Sequence, residues 1–295
     1  MQKKKLITHN GSFHTDDVFA CAAFMLLLDR KGDQYEVVRT REEKLIEEGD
    51  YVFDVGGIYD EAKNRFDHHQ RGGAGKRANG IEYASFGLVW KKFGKELCES
   101  NKAADIVEKK LVSPVDAHDN GLDLVENKHE VSPYLIQHAF LATEATWREG
   151  LINDEMFQKS VSIAKEILSR EIIQAKDLLL AEEAVVENYK SSPDKRVIVL
   201  DRNYPYDILG TFPEPLFVIY FKESSNNWHI KAVRENPKIF KNRKNFPSAW
   251  AGLRDEELQE TTKVADAVFC HRGLFLAVAK SKEGAVKLAQ ITVEF

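Results

Sequence analysis

The sequence has few cysteines, no long apolar run and no strong excess of charge of either sign. Its 295 residues include 3 cysteines that lie far apart, Cys21, Cys98 and Cys270, which excludes a disulfide scaffold and predicts a reducing compartment. The longest apolar stretch, residues 18–28, is too short to span a bilayer, and the basic N-terminus lacks the apolar core of a signal peptide. We therefore expect a soluble intracellular protein without a membrane partner, first of all in the cytoplasm. The composition is also compatible with an organelle.

The charges of the chain are close to balance. Its 47 acidic residues outnumber its 42 basic ones and give a net charge of -5 at neutral pH. This charge provides no general attraction to nucleic acid or to an anionic membrane, so a polyanion has to be bound by a local patch or by bound metal. The composition gives no indication of the oligomeric state.

The first part of the chain has the pattern of an α/β fold. Its length and its 43% apolar content are sufficient for two domains with separate cores. Short apolar runs alternate with helical patterns, which predicts a mostly parallel sheet flanked by helices. The expected strands are residues 6–7, 35–39 and 50–55, and the expected helices are residues 18–28, 41–48, 85–93 and 101–111.

A long amphipathic helix is expected over residues 155–187, because its apolar residues recur at steps of three and four. The polar stretch 188–194 then interrupts the pattern, and the residues after it are rich in predicted strands. We therefore expect two domains, residues 1–190 and residues 191–295, the second a smaller mixed α/β domain.

Four short segments of the first half carry aspartate, three of them together with histidine, and each lies at a predicted strand end or in a loop. They are residues 9–17, 54–57, 66–70 and 115–121. Carboxylates and imidazoles without thiolates suit Mn²⁺, Mg²⁺, Fe²⁺ or Zn²⁺. Six or more such ligands exceed the need of one ion, which predicts a site for two divalent cations.

Simpler explanations exist for single members of this set. Aspartates next to glycine often make turns, and Asp16 or Asp17 can cap the helix that begins near Val18. Asp119 and Asn120 are equally well explained as turn residues or as residues behind the metal ligands. The recurrence of the pattern in four segments favours the metal site.

The order of these motifs resembles the melanocyte-proliferating-gene (MYG) family of the DHH phosphoesterase superfamily. The motifs are His-x4-His-x-Asp from His9, Asp-Val-Gly-Gly from Asp54, Asp-His-His-Gln-Arg from Asp67, and Val-Asp-Ala-x-Asp-Asn-Gly from Val115. In the second half, residues 246–258 and 283–285 are also similar to that family, so the resemblance covers nearly the whole chain. It implies a DHH-type sheet domain that carries the metals and a second domain that binds the substrate.

The resemblance implies which residues of these motifs bind the metal ions. Asp54 would bridge two cations, and manganese is the metal expected first. The implied ligands are His9, His14, Asp16, Asp54, His68 and Asp116. His14 stands where many members of the superfamily have an aspartate.

Successive side chains of an extended segment point to opposite faces, so we expect His68 and His69 to point apart. His69 is then left to contact phosphate or to protonate the leaving oxygen. Asp67 is expected to orient a neighbouring imidazole. His69 and Asp67 are therefore the candidate catalytic residues.

A basic stretch between residues 234 and 250 interleaves cations with aromatic residues. Cations for phosphates and aromatic faces for stacking are typical of proteins that bind single-stranded nucleic acid. A solvated loop with its aromatic residues in the core explains the stretch equally well. The cations of this stretch are Arg234, Lys238, Lys241, Arg243 and Lys244, and the aromatic residues are Phe240, Phe246 and Trp250.

The candidate substrate-binding residues lie in this stretch, in the loop after Asp-His-His and near Cys270. They are Arg71, Lys76, Arg77, Arg243, Lys244, Arg254, His271 and Arg272.

The sequence thus predicts a metal-dependent phosphodiester hydrolase that uses a hydroxide activated by two metal ions. The resemblance implies a 3′–5′ exonuclease acting on single-stranded RNA. Two alternatives stay open: a phosphatase or pyrophosphatase that acts on a phosphorylated small molecule, and a non-catalytic RNA-binding protein with a structural metal site.

Overall fold

The computed structural model describes residues 3–150, 153–236 and 239–295. The chain divides into two compact units, Met1–Lys176 and Asp177–Phe295, and the division falls inside one long helix, Asn153–Ser191. The polar stretch 188–194 coincides with the C-terminal end of that helix. The functional roles expected for the two domains stay predictions.

A five-stranded, mostly parallel sheet forms the centre of the first unit. The strand order is β2-β1-β3-β5-β4, and only β4 is antiparallel to its neighbour. The α/β class and the mostly parallel sheet expected from the sequence are thereby confirmed. The strands are β1 (Lys4–Thr8), β2 (Tyr35–Arg39), β3 (Tyr51–Phe53), β4 (Tyr59–Asp60) and β5 (Arg65–Phe66).

Two helices of the first unit pack on this sheet, and the more buried of them contains the longest apolar run of the sequence. Phe24 of that helix packs against Tyr51, Phe53 and Phe66 of the sheet, with ring centroids 4.9–5.7 Å apart. The helices are α1 (Thr15–Lys31), α2 (Glu43–Glu47), α3 (Ser85–Cys98), α4 (Asn101–Val107), α5 (Ser113–Asp119), α6 (Ile136–Leu141) and α7 (Asn153–Ser191).

Helices α4 and α5 are joined by a π-helical turn, Glu108–Val112. In this turn the Ser113 N–H donates to the Glu108 carbonyl, five residues earlier. The expected helix over 101–111 therefore exists, but its last residues have a wider turn than an α-helix.

The second unit has a mixed five-stranded sheet with the order β6-β7-β8-β10-β9. Only the pair β6–β7 is parallel, which confirms the expected mixed α/β class. Its core includes Phe217, Phe246 and Trp250. The elements are β6 (Val197–Val199), β7 (Phe217–Lys222), β8 (Asn227–Ala232), α8 (Asp255–Thr262), β9 (Ala267–Cys270), β10 (Leu276–Ala279) and α9 (Lys282–Glu294).

Within the described parts of the chain, no helix combines the length and the apolar character that a membrane span requires.

Candidate metal centre

The polar segments of the first unit follow the strands of its sheet. His9 comes directly after β1, Asp54 after β3, and Asp67 and His68 after β5. Because β1, β3 and β5 are parallel neighbours, their carboxyl ends lie at one edge of the sheet, where open α/β sheets bind ligands. The topology therefore brings these three segments together.

Asp17 belongs to the start of α1 and also contacts the first histidine. Its Oδ1 accepts a 2.9 Å hydrogen bond from the His14 N–H, which satisfies a donor at the helix N-terminus. Its Oδ2 lies 3.3 Å from Nε2 of His9. Of the two adjacent aspartates, Asp17 is thus the one used in capping, and Asp16 is left for other contacts.

Asp54 lies between two of the histidines. Its Oδ2 is 3.1 Å from Nε2 of His9, and its Oδ1 is 3.3 Å from Nε2 of His68. The backbone of Asp54 has φ of 54°, a left-handed conformation that aspartate adopts more readily than most residues. This conformation ends β3 at the position where the carboxylate contacts both imidazoles.

The two adjacent histidines lie side by side, so the expectation that they point to opposite faces is wrong. Their ring centroids are 4.3 Å apart, and Nδ1 of His69 is 3.5 Å from the same Asp54 oxygen that His68 approaches. The expectation assumed an extended strand, but β5 ends at Phe66. Their surroundings still differ, since the His68 side chain is 9% exposed and that of His69 60%.

Asp67 holds His69 through two contacts. Its Oδ1 lies 2.8 Å from Nδ1 of the His69 ring and accepts a 3.1 Å hydrogen bond from the His69 backbone N–H. Its Oδ2 accepts a hydrogen bond from the Gly57 N–H. The carboxylate is buried, so the ring it orients is fixed from the protein side while its other edge is exposed to solvent.

Asp119 brings a fourth segment to the cluster. It is the last residue of α5, and its Oδ2 lies 3.2 Å from Nε2 of His68. Its Oδ1 lies 4.0 Å from Nδ1 of His14. Asp119 therefore contacts residues from two of the other segments.

Several buried polar atoms at the centre of this cluster have no hydrogen-bond partner among the described residues. These atoms are both carboxylate oxygens of Asp16, Oδ2 of Asp17, Oδ2 of Asp54 and Nε2 of His68. The last three still lie 3.1–3.3 Å from an oppositely charged group of the cluster, whereas the nearest such group to Asp16, the His68 imidazole, is 4.0 Å away. Asp16 is therefore the buried carboxylate that lacks a close partner. Buried charged groups without partners are costly, and in native proteins they are usually paired or bound to metal. Oxygen and imidazole donors without thiolate suit a divalent cation. The donor set thus fits the metal that the motifs imply.

Among the described residues, the candidate ligand atoms form three overlapping groups, each with its atoms within 4.8 Å of one another. Asp54 is common to the first two groups, and His14 is common to the first and third. The groups are His9 with His14 and Asp54, Asp54 with His68 and His69, and His14 with Asp16 and Asp119.

The pKa values in the cluster reflect a concentration of negative charge. Burial raises the pKa of Asp16 well above its usual range, and the charges of Asp54 and Asp119 raise it further. Burial alone would lower the pKa of His9, but Asp17 and Asp54 raise it to about 10. Burial likewise raises the pKa of Asp17, whereas the hydrogen bonds of His68 and His9 outweigh burial and lower the pKa of Asp54. The surroundings therefore oppose the ionisation of Asp16 and Asp17, and positive charge beside these two carboxylates would relieve this.

Asp116, expected as a ligand, is not in these groups. Its Oδ2 is 2.7 Å from Nη2 of Arg77, and its Oδ1 accepts a 3.0 Å hydrogen bond from the Gly87 N–H. Arg77, expected to reach substrate, also contacts Glu108 at 2.5 Å and is 8% exposed. The structure pairs these two residues with each other, and Asp119, one turn after Asp116, is the residue that contacts His68.

The other candidate cations of the first unit are exposed. Lys76 makes a 2.7 Å salt bridge with Glu82 and keeps 63% of its side chain exposed. Arg71 is exposed in the turn after Gln70, and no described residue makes a hydrogen bond or ion pair with it.

Two of the candidate cations in the second unit bind backbone carbonyls. The Arg243 guanidinium donates to the carbonyl oxygens of Gly210, Phe212 and Pro215. Lys244 donates to the Val293 carbonyl at 3.1 Å. Both cations therefore stabilise the fold of this unit.

The remaining candidates of the second unit lie at its surface or beside an aromatic ring. Arg254 lies over the Phe269 ring, 4.3 Å from its centroid. Nδ1 of His271 accepts a hydrogen bond from the Gly273 N–H, and Arg272 is exposed.

The aromatic residues of the basic stretch 234–250 are partly in the core and partly at the surface. Phe246 and Trp250 are buried in the core, whereas Phe240 is 93% exposed with Arg234 over its ring at 4.6 Å. Lys241 pairs with Glu235 at 2.9 Å, and Lys238 lies outside the described residues.

A cavity of about 180 Å³ adjoins the acidic cluster. Its lining includes Asp16 and Asp119 together with Gln137 and Leu141 of α6. Neither residue of α6 was expected from the sequence, because they lie outside the His and Asp motifs. This space is next to the orphaned carboxylates and is small enough to hold one compact group.

A family model described as uncharacterised protein family UPF0160, and named for the MYG1 exonuclease, matches residues 5–293 of the chain. The human protein called MYG1 exonuclease is 28% identical over 99% of this chain and 86% of its own length. The bovine MYG1 exonuclease is 30% identical over 99% of this chain and 85% of its own length. A MYG1 protein of Saccharomyces cerevisiae is 28% identical over 98% and 96% of the two chains.

One solved structure resembles the chain weakly. It is a crystal structure of the exonuclease RecJ bound to manganese, which is 12% identical, with coverage of 99% of this chain and 91% of that one and a TM-score of 0.26. This overlap is too low to bear on the fold or on the site.

Proposed function

The chain belongs to the MYG1 family, and on that premise we propose that it is a divalent-metal-dependent phosphodiester hydrolase that acts as a 3′–5′ exonuclease on single-stranded RNA. The observation that carries this proposal is the convergence of Asp16, Asp54 and His68, in which both oxygens of the buried Asp16 carboxylate have no hydrogen-bond partner among the described residues. The human and bovine relatives, which match 99% of this chain, are called exonucleases, and this supports a phosphodiester substrate.

Two cations would be held on either side of Asp54. His9 and His14 would supply donors for one position, and His68 for the other. Asp16 and Asp119 lie within reach of both His14 and His68 and would complete these positions. Manganese is the metal proposed first, as the resemblance implies, and the donor set of carboxylates and imidazoles is compatible with it. When bound, such cations lower the pKa of water and neutralise charge on phosphoryl oxygens.

His69 would protonate the leaving oxygen. Asp67 occupies its Nδ1 side at 2.8 Å, so the Nε2 edge of this exposed ring is free to meet substrate. The Asp67 hydrogen bond raises the pKa of His69, although burial opposes it, and this keeps the ring protonated to higher pH. A protonated imidazole next to the cluster is suited to general acid catalysis.

Substrate phosphates would be contacted by cations that make no ion pair or hydrogen bond with another described residue. Arg71 follows His69 in the chain and is exposed, and Arg272 is exposed in the second unit. The cavity beside Asp16 and Asp119 would accept part of the terminal nucleotide.

The test is cleavage of a short single-stranded RNA by the purified protein in Mn²⁺. A 5′-labelled RNA should give a ladder that shortens from its 3′ end, and a chelator should abolish it. His68→Ala should also abolish it, whereas His129→Ala, at an exposed loop position, serves as the matched control and should leave it intact.

Absence of product from folded protein that binds Mn²⁺ would contradict the exonuclease. Hydrolysis of nucleotides or pyrophosphate under the same conditions would then favour the small-molecule phosphatase. RNA binding without hydrolysis of any of these would favour a non-catalytic protein with a structural metal site.

A further inference from the structure

Arg77 joins the two chain segments that flank the cluster. It lies in the loop that leaves His68 and His69, and its guanidinium contacts Asp116 on α5. The same guanidinium contacts Glu108 at 2.5 Å and donates to the Glu82 carbonyl at 3.0 Å. The Tyr83 ring lies 4.2 Å from it. All three guanidinium nitrogens are thus used inside the protein.

The π-helical turn explains why Glu108 and Asp116 can bind the same guanidinium. In a continuous α-helix, residues eight apart differ by about 80° around the axis. The π-turn Glu108–Val112 lies between them and accommodates one extra residue in its wider turn. Glu108 and Asp116 are therefore oriented like two residues seven apart in an α-helix, whose directions around the axis differ by only about 20°. The wider turn therefore aligns both carboxylates toward Arg77.

The alignment also fixes the end of α5. Asp116 and Asp119 are three residues apart on this short helix, so the rotation that points Asp116 at Arg77 also determines where Asp119 points. Asp119 lies 3.2 Å from His68, which belongs to the segment that continues into the Arg77 loop.

We propose that Arg77, with Glu108 and Asp116, is a positioning device that sets Asp119 against His68, and that Asp116 acts through Arg77 and not as a metal ligand. This inference rests on the proposed metal site but not on the identity of the substrate. It assigns Arg77 no contact with substrate.

The experiment measures Mn²⁺ affinity by calorimetric titration of the full chain, together with its thermal unfolding without metal. Arg77→Met should weaken Mn²⁺ binding by about 10- to 100-fold, the range found when residues behind metal ligands are removed. Glu108→Gln keeps the Arg77–Asp116 pair and should weaken it by about 10-fold. Asp105→Asn, an exposed carboxylate one turn before Glu108, is the matched control and should leave the affinity unchanged.

A double variant, Arg77→Met with Asp116→Asn, separates positioning from simple charge neutralisation. If Arg77 only neutralised Asp116, the double variant would recover wild-type Mn²⁺ affinity, and the proposal would be overturned. Continued weak binding with recovered thermal stability would support it.

Two further outcomes would overturn the proposal. Tighter Mn²⁺ binding by Arg77→Met would mean that the released Asp116 is itself a ligand. Unchanged affinity in folded Arg77→Met would mean that Asp119 needs no such support. If Arg77→Met does not fold, Glu108→Gln decides by the same measurement. Wild-type protein that binds Mn²⁺ but cleaves no RNA would refute the proposed substrate and leave this test valid.

Discussion

Charged residues are used in opposite ways in the two units of the chain. In the first unit, carboxylates and imidazoles converge at one sheet edge and leave buried atoms without partners among the described residues. In the second unit, Arg243 and Lys244 donate hydrogen bonds to backbone carbonyls. Both sets were equally conspicuous in the sequence. Their partners distinguish them, since a satisfied charge stabilises the fold and an unsatisfied buried one indicates a ligand.

The largest expected effect comes from Asp54, the carboxylate shared by two groups of ligand atoms. Asp54→Asn should reduce hydrolysis by roughly 10²- to 10³-fold, the loss found when one group is removed from a preorganised site. Asparagine also tolerates the left-handed backbone at this position, so the fold should be retained.

Initial rates on RNA in Mn²⁺ test this prediction, with Asp123→Asn in an exposed loop as the control of equal charge change. Activity of Asp54→Asn within tenfold of the wild type would show that the unsatisfied cluster is not the reactive centre.

Metal should stabilise the first unit and leave the second unchanged. A ligand that binds only the folded state at about 100 times its Kd adds about 2.7 kcal/mol of stability. Hydrogen exchange with and without Mn²⁺ should therefore slow at the start of α1 and at residues 66–70. The amides of β7 and β8 should exchange as before, and equal protection in both sheets would remove the contrast between the units.

The cations of the second unit should differ in how much each contributes to the free energy of unfolding. Arg243→Met leaves the carbonyls of Gly210, Phe212 and Pro215 without their donor, and we expect it to cost about 2–3 kcal/mol. Arg272→Met, at an exposed position, should stay within about 0.5 kcal/mol of the wild type. Urea unfolding measures both. If Arg243→Met were as stable as the wild type and bound RNA more weakly, Arg243 would be a substrate-binding residue, as the sequence suggested.

The smallest expected effect is a pH dependence in the second unit. Burial lowers the pKa of His229 below its ordinary value of 6.5, and the charges of Lys222 and Lys231 lower it further. As the pH falls through 6.5, the unfolded chain takes up this proton before the folded one does, so stability is lost. Urea midpoints at pH 7.5 and pH 5.5 should differ less in His229→Gln than in the wild type. An equal difference would assign the acid sensitivity to other groups.

The sequence was most informative where residues follow strands. The positions of His9 and Asp54 after two predicted strands indicated that they meet, because parallel strands bring their carboxyl ends to one edge. The short strand β5 that places His68 beside them was not predicted. The long helix and the mixed second sheet followed from periodicity. The roles of these residues as metal ligands stay predictions.

The sequence did not show that Asp119, and not Asp116, would be the residue beside His68. Both fit the motif, and their difference depends on a π-turn, which leaves no mark in the hydrophobic pattern of residues 101–119. Asp17 likewise contacts His9 only because of the loop geometry between β1 and α1. Arg243 and Arg272 are the same residue type in similar polar surroundings, and only the fold distinguishes buried carbonyls from open solvent.

The close approach of Gly87 to the Arg77–Asp116 pair couples distant positions of the sequence. A Cβ at residue 87 would lie 1.8 Å from Oδ2 of Asp116 and 2.5 Å from Nη2 of Arg77. Helix α3 can therefore accept a side chain here only if the ion pair is also replaced. Across divergent relatives, positions 77, 87 and 116 should change together or not at all, and this covariation is an evolutionary signature that can be read without any structure.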